Sequence, residues 1–545
     1  MNQIIKRIYK TILPEGKLPH RSIYIFGLAV LAASLPLSIF TTSVAEIILV
    51  VNWIMERNFK EKWKILQSRK SLLFIISIYV IHILWLINTN DFTYAFHDLK
   101  IKLPMLVLPV VIGTSPALGR YQLKWILVFF STAVLAGTLV SASVLFNIIP
   151  YSFSDIREIS IFVDHIRFSL LINIAIFSLI YIIVSREFIL SKWEYILYSI
   201  VTIWLVLFLV MLRALTGVFV FMITGFLLFW IYIRNIKPFV LKWTFAVLII
   251  AAAFIGISYL AKSIDRFYSI EEINSDQIDK LTVNGNPYNN DFSKKQFENG
   301  KYVWIYLCEK ELQNEWNKRS SMKYDGKDLK GHEIKYTIIR YMTSRGLRKD
   351  SIGVSRLTDE DIRLIENGIA NYIYSRKFSL YPKIYEVLWQ IDVFRRGENP
   401  SGHSVTQRIL YLQAGLGIIK QHFWFGTGTG DVADAFTKYY NEIGSKLDMR
   451  WRLRAHNQYV TFFLTFGVIG FLWIMFSLIY PTFFEKKWKD YFFVMFFIIG
   501  FLSMLNEDTL ETHIGNSFFS FFYALFLLGV INIPSAEAGA KGNTN

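Results

Sequence analysis

Across residues 452–471 the sequence reads RLRAHNQYVTFFLTFGVIGF, so a His-Asn pair stands where a basic stretch meets an apolar run. An imidazole such as that of His456 takes or relays protons near neutral pH. The guanidiniums of Arg450, Arg452 and Arg454 beside it favour the neutral, basic form. The same residues also suit an interfacial histidine that only hydrogen-bonds a backbone carbonyl. Three more arginines open or close apolar segments: Arg167 in DHIRFSLLINIAIF, Arg213 in LVMLRALTGVFVF and Arg408 in TQRILYLQAGLGIIKQH. A guanidinium fork matches a pyrophosphate through paired, charge-assisted hydrogen bonds. Taken singly, an arginine at the end of a span can also snorkel to lipid headgroups, and Asp164 offers Arg167 a local partner. The segment NEDTLETHIGN adds Glu507, Asp508 and Glu511. None of these spacings is local, so only a folded bundle brings the groups together.

Two other motifs invite chemistry. Residues 426–431 (GTGTGD) suggest a phosphate loop, yet they follow a helical pattern instead of a strand and lack the Gly-x-Gly-x-x-Gly spacing. A helix C-cap with a flexible turn is the expected role. Asp359, Glu360 and Asp361 form an acidic triplet that suits a metal, and suits the first turn of a helix equally well. No His/Cys cluster has zinc spacing, so no metal and no other cofactor is expected.

The elements that must position these groups are membrane spans. Hydrophobic residues make up 53% of the 545 positions and charged residues only 18%, against about 25% charged in soluble domains. The apolar residues cluster into twelve runs near the length that crosses about 30 Å of hydrocarbon: 23–40, 42–55, 72–87, 103–118, 123–147, 167–184, 194–212, 214–233, 243–261, 457–480, 491–506 and 515–533. Open sheet edges do not survive in lipid. The expected fold is therefore an all-α polytopic membrane protein of about twelve transmembrane helices.

The net charge of +16 would point to nucleic acid in a soluble protein; here its distribution sets orientation instead, and no nucleic-acid partner is expected. With the N-terminus inside, 21 Lys and Arg fall in the tail and inner loops (Lys6, Arg7, Lys10, Lys17 and Arg21 in the tail; Arg186, Arg234 and Lys237 among the loops). Only Lys100, Lys102, Arg157, Arg167 and Arg213 occupy the short outer segments. That is the positive-inside pattern. Both termini are then cytoplasmic, the basic N-terminal stretch leads into an uncleaved anchor, and the long segment between spans nine and ten lies outside.

The domain reading has four parts: 1–261, a bundle of about nine spans; 262–455, a large, mostly helical periplasmic domain; 456–533, three further spans; and 534–545, a disordered cytoplasmic tail. Within the outer segment, periodicity predicts a helix over 296–318, another starting at Thr358 with Asp361 as its cap partner, and a third over 406–422. The single cysteine, Cys308, excludes an intramolecular disulfide.

With this layout on the page, RAHNQYVTFFLTFGVIGF resembles the His-Asn-x-Tyr … Gly-x-x-Gly signature of the O-antigen ligase/polymerase superfamily. QRILYLQAGLGIIKQHFWFGTGTGD resembles that family's Arg-led helix followed by a Gly-x-Gly turn, and NPSGHSVTQR with NEDTLETHIG is similar to the branch found in Bacteroidetes-type bacteria. The resemblance covers 401–471 and the twelve-span layout. It implies an inverting, metal-independent membrane glycosyltransferase of lipopolysaccharide biosynthesis in the bacterial inner membrane. Such an enzyme moves a glycan from polyprenyl (undecaprenyl) pyrophosphate to an acceptor such as lipid A-core on the periplasmic face. By the same resemblance Arg408 and Arg213 would hold the pyrophosphate, with Arg167 a further candidate from its place at a span end, and His456, with Arg408, would serve the reacting centre. Asn457, Tyr459, Glu507, Asp508 and Glu511 would support them. Leu212-Arg213-Ala214 departs from the family's usual Ser-Arg-Gly context, and the insertion 265–400 is assigned no role. A polymerase of the same superfamily is the nearest alternative. A polysaccharide transporter or flippase is another, although such proteins gather ionisable groups near the midplane.

Overall fold

The computed structural model describes residues 19–153, 156–185, 187–232, 239–274, 278–375, 379–397 and 399–531. Lys6, Arg7, Lys10, Lys17, Arg186, Arg234, Lys237 and the tail 534–545 lie outside these described residues. The chain is mostly helical and divides into two compact units, residues 238–398 and the remainder.

The larger unit is an apolar helical bundle. Its first part comprises α1 (Pro19–Ser34), α2 (Ile39–Met55), α3 (Phe59–Ser68), α4 (Lys70–Leu84), α5 (Phe92–Lys102), α6 (Pro104–Thr114), α7 (Arg120–Leu145), α8 (His165–Val184), α9 (Lys192–Met211) and α10 (Leu215–Tyr232). Caps fix several starts: Ser191 accepts from Glu194 N at 3.2 Å while the Glu194 carboxylate returns the bond, a capping box. Between α2 and α3 the chain bends by 110°, with Arg57 and Asn58 in the left-handed region. Six helices among the described residues are long and apolar enough to cross a membrane, seven if the bent pair α2–α3 is one span. Each of the twelve apolar runs read from the sequence falls on a helix, but several of those helices are short. α6, for instance, has 11 residues between Pro104 and Ser115.

The smaller unit contains α11 (Phe239–Tyr268), a hairpin of β1 (Phe297–Glu298) and β2 (Lys301–Tyr302), and α12 (Glu309–Arg319), α13 (Ile334–Ser344), α14 (Ser351–Ser355), α15 (Asp359–Glu366) and α16 (Tyr381–Arg395). Val303, Leu312, Trp316, Ile338, Tyr341 and Met342 form its core. The hairpin corrects the helix expected over 296–318. Asn299 (φ 52°) and Gly300 (φ 78°) both adopt positive φ, the requirement of a tight two-residue hairpin turn, so helix begins only at Glu309. α15 starts as its sequence demands: Thr358 and Asp361 form a capping box, and Tyr341 donates to Asp361 at 2.5 Å. The acidic triplet is thus engaged in a helix start. α15 ends at Glu366, with Gly368 (φ 72°) turning the chain away.

Beyond the smaller unit come α17 (Ser404–Gln421), α18 (Val432–Glu442), α19 (Gln458–Phe484), α20 (Tyr491–Met504) and α21 (His513–Leu528). The compact division differs from the boundary at 455 drawn from hydropathy, because residues 399–455 group with the bundle. Tyr411, Ala414 and Ile418 of α17 pack on Val432, Phe436 and Tyr440 of α18 and on Ala455 and Leu464. Gly415 makes the approach close: a Cβ there would meet Val460 Cγ1 at 2.7 Å.

Candidate active site

α19 reads as a continuous apolar helix but is broken at Gly467 (φ 63°, ψ −174°). The break frees backbone groups that lipid cannot satisfy, and the segment 423–430 satisfies them. Val468 N donates to Phe423 O (2.8 Å), while Thr427 N and Gly428 N donate to Leu464 O (2.8 Å) and Thr465 O (3.0 Å). On its other side the segment is tied to the end of α4 and the turn after it. Thr429 Oγ1 donates to His82 O, Trp85 Nε1 to Phe425 O and Asn88 Nδ2 to Gly426 O, and Asp431 accepts from Asn90 and Asp91 N. The GTGTGD motif is therefore a locked turn and not a flexible one. Its amides at 427 and 428 are committed to α19, so it is no phosphate cradle. Its glycines are needed for contact: a Cβ on Gly428 would lie 2.0 Å from Asn88 O.

The two helices that this segment joins, α17 and α19, carry candidate residues near their starts. Arg408, in the first turns of α17, donates through Nη1 to Asn506 Oδ1 (2.9 Å) and through Nη2 to Glu507 Oε1 (2.8 Å). Glu507 Oε2 lies 3.8 Å from His456 Nδ1. Glu507 is mostly buried, its side chain 12% exposed, whereas those of Arg408 and His456 are each 32% exposed. His456 sits just ahead of α19 with φ 48°, a strained conformation for a non-glycine residue of the kind that clusters at functional sites. Its ring lies over Tyr411, one turn along α17 from Arg408, at 5.6 Å between centroids. The Tyr411 hydroxyl is anchored on Trp451 O at 2.7 Å.

Asn506 links this cluster to the turn that carries Arg213. Its Nδ2 donates to Thr216 Oγ1 at 2.5 Å, in the first turn of α10. Arg213 itself adopts φ 53°, the second candidate residue held in the left-handed region. Arg167 stands on α8, whose start packs on that of α10: Asn173 donates to both Ser169 O and Gly217 O at 2.9 Å. No hydrogen bond among the described residues joins Arg167 to Arg408 or His456. Its charge bears on Asp164, the N-cap of α8. Burial pushes the Asp164 carboxyl up, but the His165 ring and Arg167 prevail and hold it at about 2.

The remaining candidates divide by role. Asn457 caps α19 by accepting from Val460 N and donates to Leu505 O at 2.8 Å; Tyr459 donates to Phe501 O at 2.9 Å. Both fasten α19 to α20 and its following loop. Asp508 accepts from Thr461 Oγ1 at 2.8 Å; burial, with the neighbouring Glu511, pushes its carboxyl above the ordinary range. Glu511 has the opposite fate. Burial alone would raise it, but Lys102 Nζ at 2.9 Å and Arg454 Nη1 at 2.8 Å hold it well below the usual carboxylate range. Lys102 also pairs with Asp98 at 2.6 Å, and Arg454 contacts the Tyr94 hydroxyl.

The chemistry read from composition missed this buried network, because Asp98 and Lys102 look like an ordinary i,i+4 pair on a short amphipathic helix. The three arginines before His456 also separate. Arg450 stacks on Trp451, Arg452 ties the loop at Leu447 O and Ser445 O, and only Arg454 enters the network. Among the described residues, no group of three or more His, Cys, Asp or Glu side chains is arranged to hold a metal ion.

The cluster can thus present the Arg408 guanidinium to an anion beside an imidazole that has a carboxylate 3.8 Å away. None of the curated proteins matches the chain. Residues 368–475, which include both Arg408 and His456, match the family model described as O-antigen ligase.

Proposed function

We propose that the protein is a twelve-span glycosyltransferase of the inner membrane that transfers a glycan from polyprenyl pyrophosphate to an acceptor hydroxyl, such as one on lipid A-core, at the periplasmic face. The observation that carries this reading is the junction of Arg408, Glu507 and His456 inside and beside the matched segment. A pyrophosphate leaving group is already activated. Catalysis therefore needs orientation of the reacting carbon and stabilisation of the departing charge. Arg408, with Arg213 and Arg167 on the adjoining helix starts, supplies that charge without a metal. His456 takes the proton of the acceptor hydroxyl as that oxygen attacks the anomeric carbon from the face opposite the phosphate, inverting the centre.

The test is a purified assay with a lipid-linked glycan and candidate acceptors. Wild type is expected to form a glycan–acceptor product, and Arg408→Ala and His456→Ala to lose transfer while melting like wild type. Near-normal transfer by either variant overturns its role. If the glycan lengthens on the lipid carrier instead, the enzyme is a polymerase.

A further inference from the structure

Glu507 occupies a position that the proposed reaction does not explain. One of its oxygens is bonded to Arg408, the group that would receive the donor's pyrophosphate, and the other faces His456 Nδ1. A carboxylate bonded to a phosphate-binding guanidinium competes with the substrate for it. Keeping that carboxylate there weakens donor binding unless it does something else.

We propose that Glu507 is a positioning residue that couples donor binding to activation of His456; this rests on the function proposed above. Arg408 is held on two sides, by Asn506 Oδ1 and Glu507 Oε1, and about a third of its side chain stays exposed. A pyrophosphate carries more negative charge than a carboxylate and meets the fork bidentately, so it draws the guanidinium toward itself. Glu507 then loses part of its neutralisation while remaining largely buried. Facing its other oxygen is His456 Nδ1, at 3.8 Å. Contacts of this kind tighten in the substrate complex.

An Nδ1–H held by Glu507 leaves His456 Nε2 with its lone pair free as the base. The acceptor oxygen forms its bond to the anomeric carbon as the bond from that carbon to the phosphate oxygen breaks, the electron pair leaving with the pyrophosphate. The hydroxyl proton goes to Nε2, and Glu507 stabilises the resulting imidazolium. The surroundings favour this use. His456 is pinned by its backbone geometry and by Tyr411, so its ring has one face to present. Asn506 ties Glu507's own loop to Thr216, which keeps the carboxylate in register when Arg408 shifts.

The prediction separates kcat from KM. In the lipid-linked donor assay, Glu507→Gln is expected to lower kcat by about 10²-fold with donor KM unchanged or lower, because the amide no longer competes for Arg408. Glu507→Asp is expected to recover part of kcat, and both variants to melt like wild type. Glu507→Gln with kcat within about twofold of wild type overturns the proposal. So does an equal rise in donor KM, an Asp variant no better than Gln, or a lowered melting temperature that accounts for the loss. Failure of wild type to use the lipid-linked donor would instead overturn the function proposed above, so the two failures are distinguishable.

Discussion

Two carboxylates three residues apart, Asp508 and Glu511, show how placement decides what a charge does. Glu511 lies between two cations with Gln458 Nε2 at 3.0 Å on its other oxygen, so its ionised form is stabilised. Glu511→Gln would leave Lys102 and Arg454 short of a buried counter-charge, a loss of about 3–5 kcal/mol, read as a melting temperature lower by several degrees. Asp508 accepts from the Thr461 hydroxyl, and burial with the neighbouring Glu511 disfavours its charged form. Asp508→Asn keeps an acceptor for Thr461 and is expected to melt at or above wild type. The pH dependence follows the same signs. The folded-state pKa of Glu511 lies below its unfolded value, so its stabilisation is complete above the ordinary carboxylate range and fades as the pH falls through and below it. Asp508, raised on folding, contributes in the opposite sense, favouring the fold at acid pH and losing that contribution as the pH rises. On acidification the two variants should therefore approach wild type from opposite sides, Glu511→Gln from below and Asp508→Asn from above. Parallel curves would mean that the network does not carry the charges described.

At the scale of elements, much was legible because lipid enforces one pattern: apolar runs must be helices, and all twelve are. Arg408 and His456 were also legible, since an arginine opening one helix and a histidine opening another are visible in sequence. The break in α19 was not. Its sequence, VTFFLTFGVIGF, is as apolar as an intact span, and the chain that repairs it lies about forty residues upstream. The nearest signal was the alternation of glycines in GTGTGD, which composition assigns to a turn without saying what it touches. The hairpin at 297–302 was hidden for a related reason: two positive-φ residues outweighed a helical spacing of apolar side chains. The repaired break yields a sharp prediction. A Cβ on Gly467 would lie 2.2 Å from Trp424 O, and one on Gly428 2.0 Å from Asn88 O. Gly444 also has positive φ (57°) but open space around it. Gly444→Ala should cost only about 1 kcal/mol of backbone strain. Gly467→Ala and Gly428→Ala should unseat the locked turn, with low yield of monodisperse protein and loss of transfer. If all three behave alike in melting and yield, the turn is not what holds α17 against α19.

At the scale of the bundle, α19 sets a polarity. It runs from the His456 end to Glu485, and the two ends differ in the groups they leave exposed. The Glu485 end is a set of mutually satisfied pairs: Arg69 with Glu485 at 3.0 Å, Arg120 with Glu187 at 2.6 Å and Asp490 at 3.0 Å, and Lys124 with Glu194 at 3.2 Å. The other end has its own buried pairs about Glu511 and, beside them, the partly exposed Arg408 guanidinium and His456 imidazole. Basic residues concentrated at the Glu485 end argue that it faces the cytoplasm. The His456 end would then face the compartment where lipid-linked glycans are presented and nucleotide sugars are scarce. Because Cys308 is the only cysteine and is buried, Cys308→Ser gives a clean background for labelling in spheroplasts. Met449→Cys, near His456 in sequence and 69% exposed, should react with an impermeant maleimide without permeabilisation. Lys60→Cys and Lys489→Cys, both exposed, should react only once the membrane is opened. The reverse pattern would put Arg408 and His456 in the cytoplasm, and with them the whole case for a periplasmic acceptor would fall.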